Sequence, residues 1–148
     1  MTNDLVNGGF ESDYQGWSAS GNVGIRATAP YAPGEGLRLA AFSAGNAAPN
    51  GSISQTFVTN PGITYPLSFD MGVLAYNTSE QRLRMELGGS PAFLSETHAM
   101  RGLGGGKILW ETRDLTFTAD GTVTTLTFRD LSTATDSIDL LLDNIRLE

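Results

Sequence analysis

Leu115-Thr116-Phe117-Thr118-Ala119, then Asp120-Gly121, then Thr122-Val123-Thr124-Thr125-Leu126-Thr127-Phe128 is the stretch whose reading decides the fold class. On each side of Asp-Gly, apolar residues alternate with threonines. A period of two places one residue set on a buried face and the other toward solvent. Asp-Gly is a strong hairpin signal, because both residues accept positive φ. The pattern predicts a hairpin with Leu115 opposite Leu126 and Phe117 opposite Thr124, and with Phe128 on the same apolar face.

Working outward, the same grammar recurs. Ile53, Gln55 and Phe57 alternate before a turn at Asn60-Pro61-Gly62. Ile63, Tyr65, Leu67, Phe69, Met71 and Val73 then alternate over an unusually long strand. Leu83, Met85 and Leu87 follow, with Arg82, Arg84 and Glu86 on the opposite face. Ile138-Asp139-Leu140-Leu141-Leu142 is nearly continuous in apolar residues, as a central strand covered on both sides would be. Val23 with Ile25, Leu37 with Leu39, and Leu5 with Val6 mark three earlier strands. Helix signals are nearly absent. About nine short strands separated by Gly, Asn, Pro and Asp predict an all-β fold, a two-sheet antiparallel jelly-roll β-sandwich in one domain, 1–148. The segment from Ser95 to Lys107, with His98 and Gly102-Leu103-Gly104-Gly105-Gly106, reads as a mobile loop. It is no phosphate cradle, since Lys107 is followed by Ile-Leu-Trp rather than a helix.

At 148 residues a single core suffices, with no metal or disulfide needed to fold. The chain has no cysteine, so disulfide usage says nothing about compartment. A formal net charge of -7 argues against nucleic acid and against an anionic membrane surface as partners. No apolar run approaches the roughly 20 residues that span a bilayer, so no membrane insertion is expected. Met1 to Gly8 lacks the basic and apolar regions of a signal peptide. The chain is therefore expected either to work where it is made or to have had a leader trimmed.

Asn7-Gly8-Gly9-Phe10-Glu11 with Gly16-Trp17, Ser52-Ile53-Ser54-Gln55-Thr56-Phe57, Tyr65-Pro66-Leu67-Ser68-Phe69-Asp70 and Leu142-Asp143-Asn144-Ile145-Arg146-Leu147 occur in an order that resembles the galactose-binding-domain-like jelly rolls. In particular, it resembles the carbohydrate-binding modules appended to xylanases and glucanases. The resemblance implies a structural calcium where the chain ends meet. Its oxygen donors would be the carbonyls of Gly9 and Gly36 and the carboxylate of Asp143, with Glu11 and Glu35 nearby. Without an ion, Asp143 would instead cap the N-terminal turn.

The resemblance also implies sugar binding through aromatic faces and planar polar groups. The candidates are Tyr31, Tyr76, Trp110, Arg82, Arg84 and Glu86. Each has a plainer reading. Tyr31 and Tyr76 are loop residues, and Arg82, Arg84 and Glu86 can form a solvated face with cross-strand charge pairs. Trp110 sits five residues before Leu115, which implies either a bulge or an outward-facing ring. Trp17 reads as core.

No catalytic residues are expected. There is no cysteine nucleophile, the single histidine lacks triad context, and Asp70 and Glu86 stand on the non-apolar sides of their strands. One His without Cys makes no typical zinc site. The expected function is a non-catalytic module that recognises carbohydrate at a cell or particle surface. The alternative is a virion component on the same fold, a capsid decoration or tail protein, associating as a homo-oligomer such as a trimer with capsid or tail proteins.

Overall fold

A computed structural model describes residues 5–27, 31, 36–42, 50–88, 92–133 and 137–147. Ten strands are present among them: β1 (Ser18–Ser20), β2 (Val23–Arg26), β3 (Leu39–Phe42), β4 (Ser52–Val58), β5 (Thr64–Ala75), β6 (Glu80–Leu87), β7 (Leu94–Arg101), β8 (Lys107–Thr118), β9 (Val123–Asp130) and β10 (Ile138–Leu147). They form two five-stranded antiparallel sheets, ordered β1-β4-β9-β6-β7 and β2-β3-β10-β5-β8. The fold is the jelly-roll sandwich that the alternation predicts.

The core lies between the sheets. Leu67, Phe69, Met71 and Val73 project into it from β5, Leu83, Met85 and Leu87 from β6, and Leu126 and Phe128 from β9, all fully buried. Phe69 meets Phe128 edge-on across the sheets at 5.1 Å between ring centroids. The chain ends do meet. Ile145 N donates to Gly8 O at 2.9 Å. A Cβ at Gly8 would lie 1.8 Å from Ile145 O, so only glycine fits there. Trp17 is core, as expected, tilted against Phe10 with its indole N–H on Asn7 O at 2.9 Å.

The pairing around Asp120-Gly121 differs from the sequence expectation. β8 and β9 belong to different sheets, so the segment between them is a crossing and not a hairpin. Leu115 stands opposite Leu67, and Leu126 opposite Gln55. Neither Asp120 nor Gly121 takes the positive φ that the hairpin turn requires. The crossing is bonded instead to the crossing from β4 to β5, which runs antiparallel to it. Thr59 N donates to Thr122 O, and the buried Thr59 hydroxyl to Gly121 O, both at 2.9 Å. Ala119 N donates to Ile63 O at 3.0 Å. Phe117, Leu126 and Phe128 still point inward, because alternation fixes which side of a strand is apolar but not which strand lies beside it.

Three further expectations are corrected. Leu5-Val6 is no strand, because the buried Gln55 amide takes both backbone groups of Val6, at 2.8 and 2.9 Å, where a strand would have paired. Ser95–Lys107 is not one loop. β7 runs to Arg101 and only 102–106 turn, with positive φ at Gly104, Gly105 and Gly106. Strands β3 and β5 start after the exposed Leu37 and Ile63.

The cysteine-free chain allows a clean test of the pairing. Thr64 and Thr118 are cross-strand partners with hydroxyls 2.9 Å apart, whereas Thr116 and Thr125 project from opposite outer faces. Thr64→Cys/Thr118→Cys should oxidise to a disulfide in the folded protein, and Thr116→Cys/Thr125→Cys should not. Mass shift after mild oxidation and alkylation reads the outcome. The reverse result would restore the hairpin.

Candidate binding face

Among the described residues the outer side of the sheet β2-β3-β10-β5-β8 has no second sheet over it, yet it is apolar across its middle. One row of the register runs Gly24, Ala41, Leu141, Gly72, Trp110 over all five strands. Leu39, Leu74 and Ile108 flank it, and Tyr31 and Trp110 pack on Leu39, Ala41, Leu74 and Leu141. Trp110 lies across Gly72. A Cβ there would meet three atoms of its six-membered ring within 2.9 Å, so glycine is what lets the indole settle on the backbone. The β5–β8 register is unbroken from Thr64 to Ala75. Of the two readings of Trp110, the outward-facing ring is therefore the one observed.

Tyr31 is fixed from both sides. Its hydroxyl donates to Asp139 Oδ2 at 2.7 Å, and the Arg26 guanidinium lies over its ring, 5.9 Å from the centroid. Burial, reinforced by the bond to Asp139, pushes the tyrosine hydroxyl above its usual range. Burial also raises Asp139 above the ordinary carboxylate value, although Tyr31 and Arg26 pull it the other way.

The other half of the face is polar. Asp70 accepts from the Thr112 hydroxyl at 2.8 Å and from the Asn144 amide at 3.2 Å, with Arg146 Nη1 3.9 Å away. Arg146 donates to Asn144 O at 2.8 Å. A bulge between Asp143 and Arg146 turns Asn144, at φ 53, into this group. Ser68 donates to Asp114 at 2.5 Å beside a depression of about 510 Å³ lined by Pro66, Ser68, Asp114, Leu115 and Thr116. Aromatic rings beside fixed carboxylate, amide and guanidinium groups offer both stacking area and directional hydrogen bonds.

Of the candidates from sequence, Tyr31 and Trp110 share this face. Arg82, Arg84 and Glu86 lie on the outer side of the other sheet, and Tyr76 stands past the end of β5 with its ring against Gly106. Asp70 and Glu86 therefore face away from each other across the sandwich. Arg26, Asp70, Thr112, Asp139, Asn144 and Arg146 were not among the candidates. Gly72, isolated inside a long apolar strand, was the readable signal of a close approach there.

At the junction of the chain ends, Asp143 is fully buried and its Oδ1 accepts from Asn144 N at 2.8 Å. Glu11 uses both carboxylate oxygens on the amides of Leu37 and Arg38, at 2.9 to 3.0 Å, just after Gly36 at φ 66. Glu35 lies outside the described residues. No group of three or more His, Cys, Asp or Glu gathers to hold a metal among the described residues.

The family model described as "Protein of unknown function (DUF642)" matches residues 11–148, and the chain belongs to that family. No curated protein matches it. Among solved structures it is similar to TmCBM61 in complex with beta-1,4-galactotriose, with TM-score 0.65 and 16% identity over 100% of this chain and 99% of that one. It is similar to a Family 16 Carbohydrate Binding Module-2, with TM-score 0.60 and 18% identity over 97% and 98%. It is similar also to the K2 cleaved adhesin domain of Lys-gingipain, with TM-score 0.65 and 14% identity over 95% of each. At these identities the likeness is one of fold, a two-sheet jelly-roll β-sandwich.

Asp139 gives a signed pH test. Its folded pKa lies above the ordinary 3.8, so its contribution to stability is fully present below that value and is lost as pH rises through the raised one. The Asp139→Asn melting temperature, relative to the parent, should therefore be higher at pH 7 than at pH 3. An unchanged or reversed difference would contradict the assignment.

Proposed function

We propose that this member of the DUF642 family is a non-catalytic module that binds carbohydrate on the Trp110 face. The observation that carries the reading is the Trp110 ring laid over Gly72, with Tyr31 on the same apolar strip and Asp70, Thr112, Asn144 and Arg146 beside it. A sugar presents a C–H face to an aromatic ring and hydroxyls to its edge. A flat, pre-formed strip bordered by hydrogen-bonding groups matches both at low ordering cost. The two carbohydrate-binding modules of similar fold support the same class of ligand, and one of them is described with beta-1,4-galactotriose.

A second reading is a phage-particle component. One observation favours it: a fold likeness to part of a bacteriophage tailspike, TM-score 0.61 over 98% of this chain and 21% of that one. A trimer in light scattering would support it.

For the ion, we propose calcium held by the carbonyls of Gly9 and Gly36 and by Asp143. The fit rests on Asp143, a fully buried carboxylate two residues before Ile145, whose amide bonds Gly8 at the chain start, and on hard oxygen donors throughout. Glu11 serves there as the acceptor that clamps the Leu37 and Arg38 amides.

Two outcomes are expected. Affinity electrophoresis through β-1,4-galactan and xylan should retard the parent on at least one of them. Trp110→Ala should weaken that retardation by about tenfold or more, a loss of about 1.4 kcal/mol or more. Full retardation in Trp110→Ala would remove this face from the account. Chelation should lower the melting temperature by about 5–10 °C, the shift expected for an ion present at about a hundredfold over its Kd. It should do so in the parent and not in Asp143→Ala. No shift in the parent would remove the ion.

A further inference from the structure

The outer side of the other sheet is chemically distinct. Its outward positions on β4, β9, β6 and β7 carry Arg82, Arg84, Arg101 and Arg129 against Glu80 and Glu86, and the remaining residues are mainly serine and threonine with no aromatic ring. Four of the nine cationic residues of a chain of net charge -7 thus share one surface with two of its sixteen acids. Solvation alone does not favour such segregation, since exposed charges are best mixed.

The arrangement at its centre is specific. Arg84 and Arg129 are direct cross-strand partners, a like-charge pairing that costs stability. Glu86 stands between them, 3.1 Å from Arg84 and 3.0 Å from Arg129. Its side chain is only 18% exposed, whereas those of Arg84 and Arg129 are 43% and 50% exposed. One carboxylate holds both guanidiniums in place without using up their donors. Arg84 Nε also bonds the Ser95 hydroxyl at 3.0 Å, and Thr97 stands opposite Arg84. Arg82 and Arg101 extend the row on β6 and β7.

We propose that this surface is a second binding site, independent of the Trp110 face, for an anionic polysaccharide whose carboxylate or sulfate groups dock on Arg84 and Arg129. Guanidinium forks match planar or tetrahedral oxyanions bidentately, and the flanking hydroxyls suit a hydroxyl-rich chain. Nucleic acid fits less well. The surface has no aromatic residue for bases to stack on, its surplus is two charges, and the rest of the molecule is acidic.

The test is affinity electrophoresis of the full chain through sodium alginate, dextran sulfate and neutral dextran, with single-stranded DNA as competitor. Retardation is expected on alginate, on dextran sulfate or on both, and not on dextran. The polymer that retards identifies the anionic group, and retardation should fall as salt is raised. Arg84→Ala/Arg129→Ala should weaken it at least tenfold, and Glu86→Gln, which frees both guanidiniums, should strengthen it severalfold. Trp110→Ala should leave it unchanged, so this site and the neutral-glycan face fail separately. No retardation on either anionic polymer, equal retardation of the double variant, or tighter binding of the DNA than of both polymers would overturn the proposal.

Discussion

Leu141 is fully buried on a side of its sheet that, among the described residues, no second sheet covers. The apolar groups of β10 point both ways, with Ile138, Leu140 and Leu142 entering the core while Leu141 points out. An aliphatic side chain cannot lie bare in the middle of a five-stranded sheet without losing a couple of kcal/mol of burial. Here Tyr31 and Trp110, with Leu39, Leu74 and Ile108, take the place of the missing layer. That requirement explains the glycine at position 72, where any side chain would lift the indole off the backbone. It explains also why Tyr31 is tied to Asp139 and capped by Arg26. Rings that complete the fold are already in place before any ligand arrives, and rigid, pre-placed aromatic area is what a flat sugar needs.

The two outer faces of the sandwich therefore differ in kind. One presents aromatic area bordered by a carboxylate–amide–guanidinium group. The other presents guanidiniums held by a shared carboxylate among hydroxyls. Both are sheet surfaces, whose side-chain spacing is set by register, with Tyr31 added to the first from outside the strands. The only described histidine belongs to neither. His98 faces inward from edge strand β7, edge-on to Phe69 at 5.4 Å. Burial holds its pKa below the ordinary value, against the pull of Glu96.

Much of the fold was legible because hydrophobic alternation survives in almost every strand. Phe69, Met71, Val73, Leu83, Met85, Leu87, Leu126 and Phe128 are all inside, as their parity required. Sheet membership was not legible. Asp120-Gly121 offers good hairpin chemistry, yet the chain crosses between sheets there, because β8 finds twelve register partners on β5. Long-range pairing outweighed a local turn preference, and parity gave no warning, since either arrangement buries the same residues. β7 was hidden for another reason. It is an edge strand whose inward positions include Glu96 and His98, so its period of two carries little apolar contrast.

The site was half legible for the same cause. Tyr31, Trp110, Arg82, Arg84 and Glu86 were readable as chemically capable, but only the fold separates them onto two faces. Asp70, Asp139 and Asn144 join the candidate face through register and through the bulge in β10, neither of which a single strand reveals.

The most direct check is a ¹⁵N-resolved NMR titration of the parent protein with β-1,4-galactan oligosaccharides, or with xylan oligosaccharides should galactan not bind. The account predicts that the Trp110 indole N–H and amides of β5, β8 and β10 near Gly72 and Leu141 move together and saturate, while the Trp17 indole stays still. Shifts confined to β6, β7 and β9 or to the loop ends, with the Trp110 indole unmoved at saturation, would contradict it.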